Sequence, residues 1–284
     1  MRRLAPLLLA LGAPACGSEQ RAREPPRPEP RPGAEPAAAG SPESAGEARP
    51  RATRPERPRR APAEAPTVIG ETGGLDPDAV ARVLAEREAT IDRCWDRALE
   101  RQPHFSGAVR LRVRVGASGR AVGIAVVRSS SGDRAFERCL AAALSEPSWP
   151  RPVGGKSGVI EQDYTFPPPD AAPSAATWSH VEIAQTRPLV QDELARCGAG
   201  PALSVTAYVA STSVDPADAG AFSALVDAGD AGDAAPFEIG VARTAGVAAP
   251  EGTPEAALDC AVEATLRVAW PSPGAGVAKV TIAP

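Results

Sequence analysis

The sequence predicts an α+β fold: two small domains, each running helix, strand, strand, helix, strand around a short antiparallel sheet, behind a disordered proline-rich N-terminal region. Three observations carry this reading. Four of the five cysteines form two pairs, Cys94/Cys139 and Cys197/Cys260, and the later member of each pair runs at the same interval into Trp-Pro, at Trp149-Pro150 and Trp270-Pro271. Helical and strand periodicities alternate from about residue 75 onward. Before residue 67 the chain has almost no large apolar residue once its first dozen positions are passed, so it cannot bury enough surface to offset the entropy of ordering.

The first element is a secretory leader. Arg2 and Arg3 precede the apolar stretch Leu4 to Gly12, small residues follow, and then Cys16, which is the layout of a cleaved signal. The apolar run falls well short of the roughly 20 residues that span a bilayer as a helix, so residues 1–15 are expected to be removed. A cysteine directly after the small residues resembles a bacterial lipobox, although Ala13 stands where such boxes prefer Leu. That resemblance implies lipidation of Cys16 as the new N-terminus. The alternative is an ordinary secreted chain in which Cys16 is one more small residue of the leader. Either way the protein is expected to be exported, and the lipid-anchored reading puts it on the periplasmic face of a bacterial envelope. Gly17 and Ser18 carry no Asp retention signal of the enterobacterial type, which favours the outer membrane.

Residues 16–70 then read as a tether. Pro, Arg, Glu, Ala and Gly dominate, and proline-rich chains favour extended polyproline II segments of about 3.1 Å per residue. Arg49, Arg51, Arg54, Arg57, Arg59 and Arg60 cluster towards its end. Glu residues interrupt that run, leaving a plain spacer and an adhesive contact with cell wall or anionic lipid as alternatives.

The first domain is assigned to residues 71–168. Asp76-Pro77 supplies an N-cap and a residue suited to the first helical turn. Val80, Val83, Leu84, Ile91, Cys94, Trp95 and Leu99 recur at helical spacing, which predicts a helix to about Arg101. GAVRLRVRV alternates Val109, Leu111, Val113 and Val115 with three arginines, the period-two pattern of a half-buried strand. Gly116-Ala-Ser-Gly119 turns it into a second strand carrying Val122, Ile124 and Val126. Asp133 caps a second helix with Phe136, Leu140 and Leu144 on one face beside Cys139. The last strand runs from Val159 to Phe166.

Residues 169–177 read as a linker and 178–284 as a diverged second copy. Pro188 to Cys197 is a short helix; ALSVTAYV alternates Leu203, Val205, Ala207 and Val209; PFEIGVAR resembles the second strand; Pro254 to Leu266 is helical; GVAKVTIA ends the copy. The paired cysteines lie farther apart than in the first copy, and one insertion at 211–235 accounts for it. Asp227, Asp230 and Asp233 there do not match the alternating ligands of a calcium loop, so the insertion reads as a solvated acidic loop.

In an exported chain, two cysteines on neighbouring helices predict a disulfide, so Cys94 with Cys139 and Cys197 with Cys260 are expected to be bonded. The separated Cys and two isolated His lack metal-ligand spacing, and there is no C-x-x-C. His104 and His180 sit in polar surroundings, Trp95, Trp149 and Trp270 occupy core-like positions, and no nucleophile elbow, P-loop or dinucleotide fingerprint occurs. The expectation is a non-enzymatic protein with no catalytic residue, cofactor or metal. A formal charge of −4 gives no global reason to expect nucleic acid binding.

Cys94, Trp95, Leu99, Pro103, Gly107, Ser129, Cys139, Trp149 and Pro150 together resemble the pattern of the AgmX/PglI C-terminal domain, a TonB-like module abundant in myxobacteria, over about residues 75–168. The second copy keeps Cys197, Cys260, Trp270 and Pro271. The resemblance implies two small TonB-like domains and a place in envelope or gliding-motility complexes. The expected function is a tethered interaction module that captures envelope proteins by strand addition, with the last strand of either copy as the docking edge. A component of a TonB-like energy-coupling or motility complex is the alternative, although the retained membrane helix of TonB is missing. An envelope enzyme with an unrecognised site is the third reading, and no clustered His, Ser and carboxylate set supports it.

Overall fold

A computed structural model describes residues 65–69, 73–170, 172–198, 200–214 and 236–283. It is a mixed α+β structure with four helices and two small sheets, all within the compact unit that spans Thr53–Pro284. The leader, Cys16 and its lipidation, the arginine cluster and the aspartates of the acidic insertion lie outside the described residues. No described helix is long and apolar enough to cross a membrane.

The first half follows the predicted order. Helix α1 spans Pro77–Arg101 and is capped by the Asp76 carboxylate, which accepts from the Asp78 N–H at 3.0 Å. Strands β2 (Gly107–Val115) and β3 (Ala121–Ser129) form the hairpin. Helix α2 (Arg134–Ser145) starts at Asp133, whose side chain accepts from the Phe136 N–H at 2.9 Å. Strand β4 (Gly158–Phe166) returns antiparallel to β2. Val109, Leu111, Val113 and Val115 point inward to meet Ile91, Trp95, Phe136, Leu140 and Leu144. Phe136 and Phe166 meet edge to face at 4.8 Å, so the few aromatics are concentrated where they bury the most area.

The second half repeats the order with α3 (Thr186–Arg196), β6 (Ser204–Val214), β7 (Phe237–Ala248), α4 (Glu255–Arg267) and β9 (Val277–Ile282). Both hairpins break register at one matching place, between Arg110 and Leu111 and between Tyr208 and Val209. Both Trp-Pro tryptophans donate from Nε1 to the carbonyl five residues back, Trp149 to Leu144 and Trp270 to Thr265.

Several boundaries differ from the sequence expectation. Thr67–Ile69, placed in the tether, forms strand β1 against β4; three consecutive β-branched residues favour extended backbone. Ala176–Thr177, placed in the linker, forms strand β5 parallel to β9. The insertion was expected to begin at 211, but β6 continues to Val214 and pairs with the start of β7 through Val214 and Phe237. Val122 was expected in the core. It is instead the extra residue of a second register break between Arg114 and Val115, so Ala121 takes the inward place and Val122 is 63% exposed.

The most consequential difference concerns the sheet edges. The orders are β1-β4-β2-β3 and β5-β9-β6-β7-β8, with β8 being Ala269–Trp270. The last strand of each half, expected at an edge, is interior, because the short β1 and β5 cover β4 and β9. The first sheet ends in the three-residue β1 on one side and the nine-residue β3 on the other, so β3 is its longer edge.

Candidate functional site at the seam of the two halves

The two halves meet along a seam that begins with the pattern of β6. In β2 one face is buried and the other carries arginines, whereas in β6 every residue from Val205 to Val209 is buried. Val205, Ala207 and Val209 face their own core. Thr206 and Tyr208 face the first half, and Tyr208 joins the first half's apolar cluster. Its hydroxyl accepts from the Ser106 N–H and donates to the Ser106 carbonyl, both at 2.8 Å. Lys279 of β9 donates to the same carbonyl at 2.6 Å and lies 5.3 Å from the centre of the Tyr208 ring. Burial pushes the Lys279 ammonium down to about 8 and raises the Tyr208 phenol.

Glycine makes the close approach possible. Gly132 sits at φ +67, and a Cβ there would lie 2.8 Å from the Tyr208 ring. A Cβ at Gly246 would lie 2.5 Å from Oε1 of Glu137. Glu137, on α2, is fully buried. Its Oε1 accepts from Ser129 Oγ at 2.6 Å and Ser131 Oγ at 2.9 Å, and its Oε2 from the Val247 N–H at 2.9 Å. Burial raises its carboxyl to about 7 despite these donors and Arg134.

Outside this buried core the seam is ionic. Arg134 and Arg138 of α2 bond Glu255 at 2.7 and 2.9 Å, and Arg138 also bonds Asp259 at 2.6 Å. Because Glu255 opens α4, its carboxylate also suits the positive end of that helix. Arg114 on β2 bonds Glu251 at 2.7 Å. The Arg138 and Arg114 pairs are exposed and add little stability, whereas Arg134 is itself buried.

The seam ends at the edge of β3. The Ala249 N–H donates to the Val126 carbonyl at 3.0 Å, and among the described residues this is the one backbone hydrogen bond on that edge. A cavity of about 160 Å³ lies there between Val126 and Glu137 of the first half and Val247, Ala249 and Leu258 of the second. A shallower groove of about 320 Å³ continues from it along β3, floored by Gly123 and Ile124 and walled by Ala141, Ala142 and Ser145 of α2.

The predicted site residues fall as follows. Cys94 and Cys139 are bonded between α1 and α2 with Cα atoms 5.7 Å apart, and Cys197 and Cys260 between the end of α3 and α4 at 5.6 Å. Both bridges lie within a half, so neither crosses the seam. His104 meets the Pro173 carbonyl through Nδ1 at 2.6 Å, and His180 lies 3.3 Å from Arg187. The described residues contain no group of three His, Cys, Asp or Glu placed to hold a metal ion. Sequence reading missed Glu137 and Tyr208, which are ordinary-looking polar positions on a helix and a strand. The faint signal was glycine, at Gly132 and Gly246, one on each side of the contact.

No family model, curated protein or solved structure matches this chain.

Proposed function

We propose that the protein is a non-enzymatic interaction module of a bacterial envelope, lipid-anchored at Cys16 and tethered by its proline-rich segment, that takes an extended segment of a partner protein along the outer edge of β3. The edge itself carries this reading: β3 ends its sheet, holds one backbone hydrogen bond on its outer side at Val126, and runs beside a groove walled by small residues of α2. Unpaired strand edges are templates for strand addition, and Ala141 and Ala142 leave room for alternate side chains of an incoming strand. Two disulfides fit an oxidising compartment. The order and spacing of Cys94, Trp95, Cys139 and Trp149 in the first half support a TonB-like assignment.

The test uses the full chain carrying a photo-crosslinker at Val122, irradiated in envelopes. The expected result is an adduct to one discrete partner segment. It should be lost in Ala142→Arg, which fills the groove from an exposed position, and kept in Arg196→Ala on α3. Equal labelling in both variants contradicts docking at this edge.

A further inference from the structure

We propose that the seam is closed by a proton-operated latch, in which Glu137 of α2 grips the end of β7 through the Val247 amide and holds it most firmly when its carboxyl carries a proton. This does not depend on the edge of β3 having a partner.

Among the described residues, Glu137 is the one buried carboxylate that bonds directly across the seam. It belongs to the first half, while the Val247 N–H on its Oε2 belongs to the second. The groups around it leave its charge without a dedicated counterion. On its own helix, Arg134 stands 3.7 Å away but is bonded to Glu255 at 2.7 Å and lies 3.7 Å from Asp259. Arg138, on the same helix, is taken by Glu255 and Asp259 of α4. Asp133, at the helix cap, is paired with Arg101 of α1. From β3 and the loop after it come only the hydroxyls of Ser129 and Ser131, themselves 2.9 Å apart. From β7 comes only backbone, since Gly246 has no side chain.

The protonated carboxyl fits this cage without rearrangement. A proton on Oε1 is donated to a serine hydroxyl, which can accept as readily as donate, while Oε2 keeps the Val247 N–H. The ionised form keeps its three donors but holds a negative charge on a fully buried side chain, and burial dominates over the donors in setting the carboxyl at about 7. Opening the end of β7 would admit water to that charge. A carboxyl raised above its ordinary 4.5 in the closed state contributes fully to closure below that value, and the contribution is lost as pH rises through about 7. Release at Val247 would also free the Ala249 N–H from Val126 and lengthen the open edge of β3.

Amide hydrogen exchange on the intact, disulfide-bonded chain between pH 5 and 8, corrected for intrinsic rates, tests the latch. The expected result is a fall in protection of about 50–100-fold at Val247 and Ala249 as pH rises, with Leu111 and Val113 of β2 unmoved. In Glu137→Gln the seam amides should show no such dependence. Flat protection in the wild type, or seam and β2 amides moving together, overturns the proposal. A carbon-13 titration of the Glu137 carboxyl in the wild type keeps the test decisive if the variant fails to fold: a midpoint near 7 supports the latch, and one in the ordinary range of about 4–5 overturns it.

Discussion

The Tyr208 hydroxyl of β6 and the Ser106 backbone before β2 satisfy each other completely: the phenol oxygen accepts from the Ser106 N–H and donates to its carbonyl, at 2.8 Å in each direction. One side chain of the second half, itself fully buried, thereby serves both main-chain groups of a half-buried residue in the first. Tyr208→Phe keeps the ring in the apolar cluster but leaves the Ser106 N–H without that acceptor. The expected cost is about 1–3 kcal/mol, read as a shift in the urea midpoint, with little change in the folded-state spectrum.

Two glycines of similar backbone geometry should respond differently to alanine. Gly132 at φ +67 faces the Tyr208 ring at 2.8 Å, whereas Gly154 at φ +87 has nothing within 4 Å of where a Cβ would stand. Gly154→Ala should cost about 1–2 kcal/mol, from the left-handed backbone alone. Gly132→Ala adds overpacking against the seam, for a total of about 2–5 kcal/mol. Equilibrium denaturation of both variants measures the difference, which is the contribution of the seam.

Each disulfide closes a loop within its own half, over sequence separations of 45 and 63 residues. The chain-entropy relation gives about 4 kcal/mol for either. Replacing Cys94 and Cys139 by Ala should therefore remove a large share of a stability that for such domains is about 5–15 kcal/mol. Intact mass with and without reduction should show both bridges in the native protein, and thermal melts of the paired variants should show the loss.

Stability should depend on pH through two buried groups of opposite type. Glu137, raised to about 7, favours the folded state below its ordinary range, and this is lost as pH rises through about 7. Lys279, lowered to about 8 by burial, favours the folded state above its ordinary 10.5, and this is lost as pH falls through about 8. The stability curve should therefore have a shallow minimum between about pH 7 and 8. On the acid side the gain is limited by Asp163 and Glu251, which Arg110 and Arg114 hold below the ordinary carboxylate range and whose contribution is lost as they protonate. Lys279→Met should flatten the alkaline limb, as measured by denaturant midpoints at a series of pH values.

Much of the fold was legible because local chemistry and the core agree in the first half. Asp76 and Asp133 cap the helices they were expected to cap, and β2 runs over the residues its alternation marks. Legibility failed where tertiary contact overrides local pattern. Tyr208 and Thr206 alternate with apolar residues as solvent-facing positions do, yet the first half buries them. Val122 belongs to a regular apolar alternation, yet a bulge turns it out. The position of β4 and β9 inside their sheets depends on β1 and β5, strands of three and two residues that no periodicity argument can detect. The disulfides were readable from the pairing of the cysteines and from the export that the leader-like N-terminus implies. Glu137 was not, because nothing in an isolated helix distinguishes a glutamate aimed at solvent from one aimed at another strand.

The most direct measurement of the central claim, that the two halves are joined into one folded unit by the seam, is controlled cleavage between them. A protease site placed at residues 168–172 cuts the connection without touching either disulfide, and no disulfide holds the halves together afterwards. On size exclusion at neutral pH without denaturant, the two fragments should elute together as one species of the uncut size. Separate elution of two folded fragments would contradict the account.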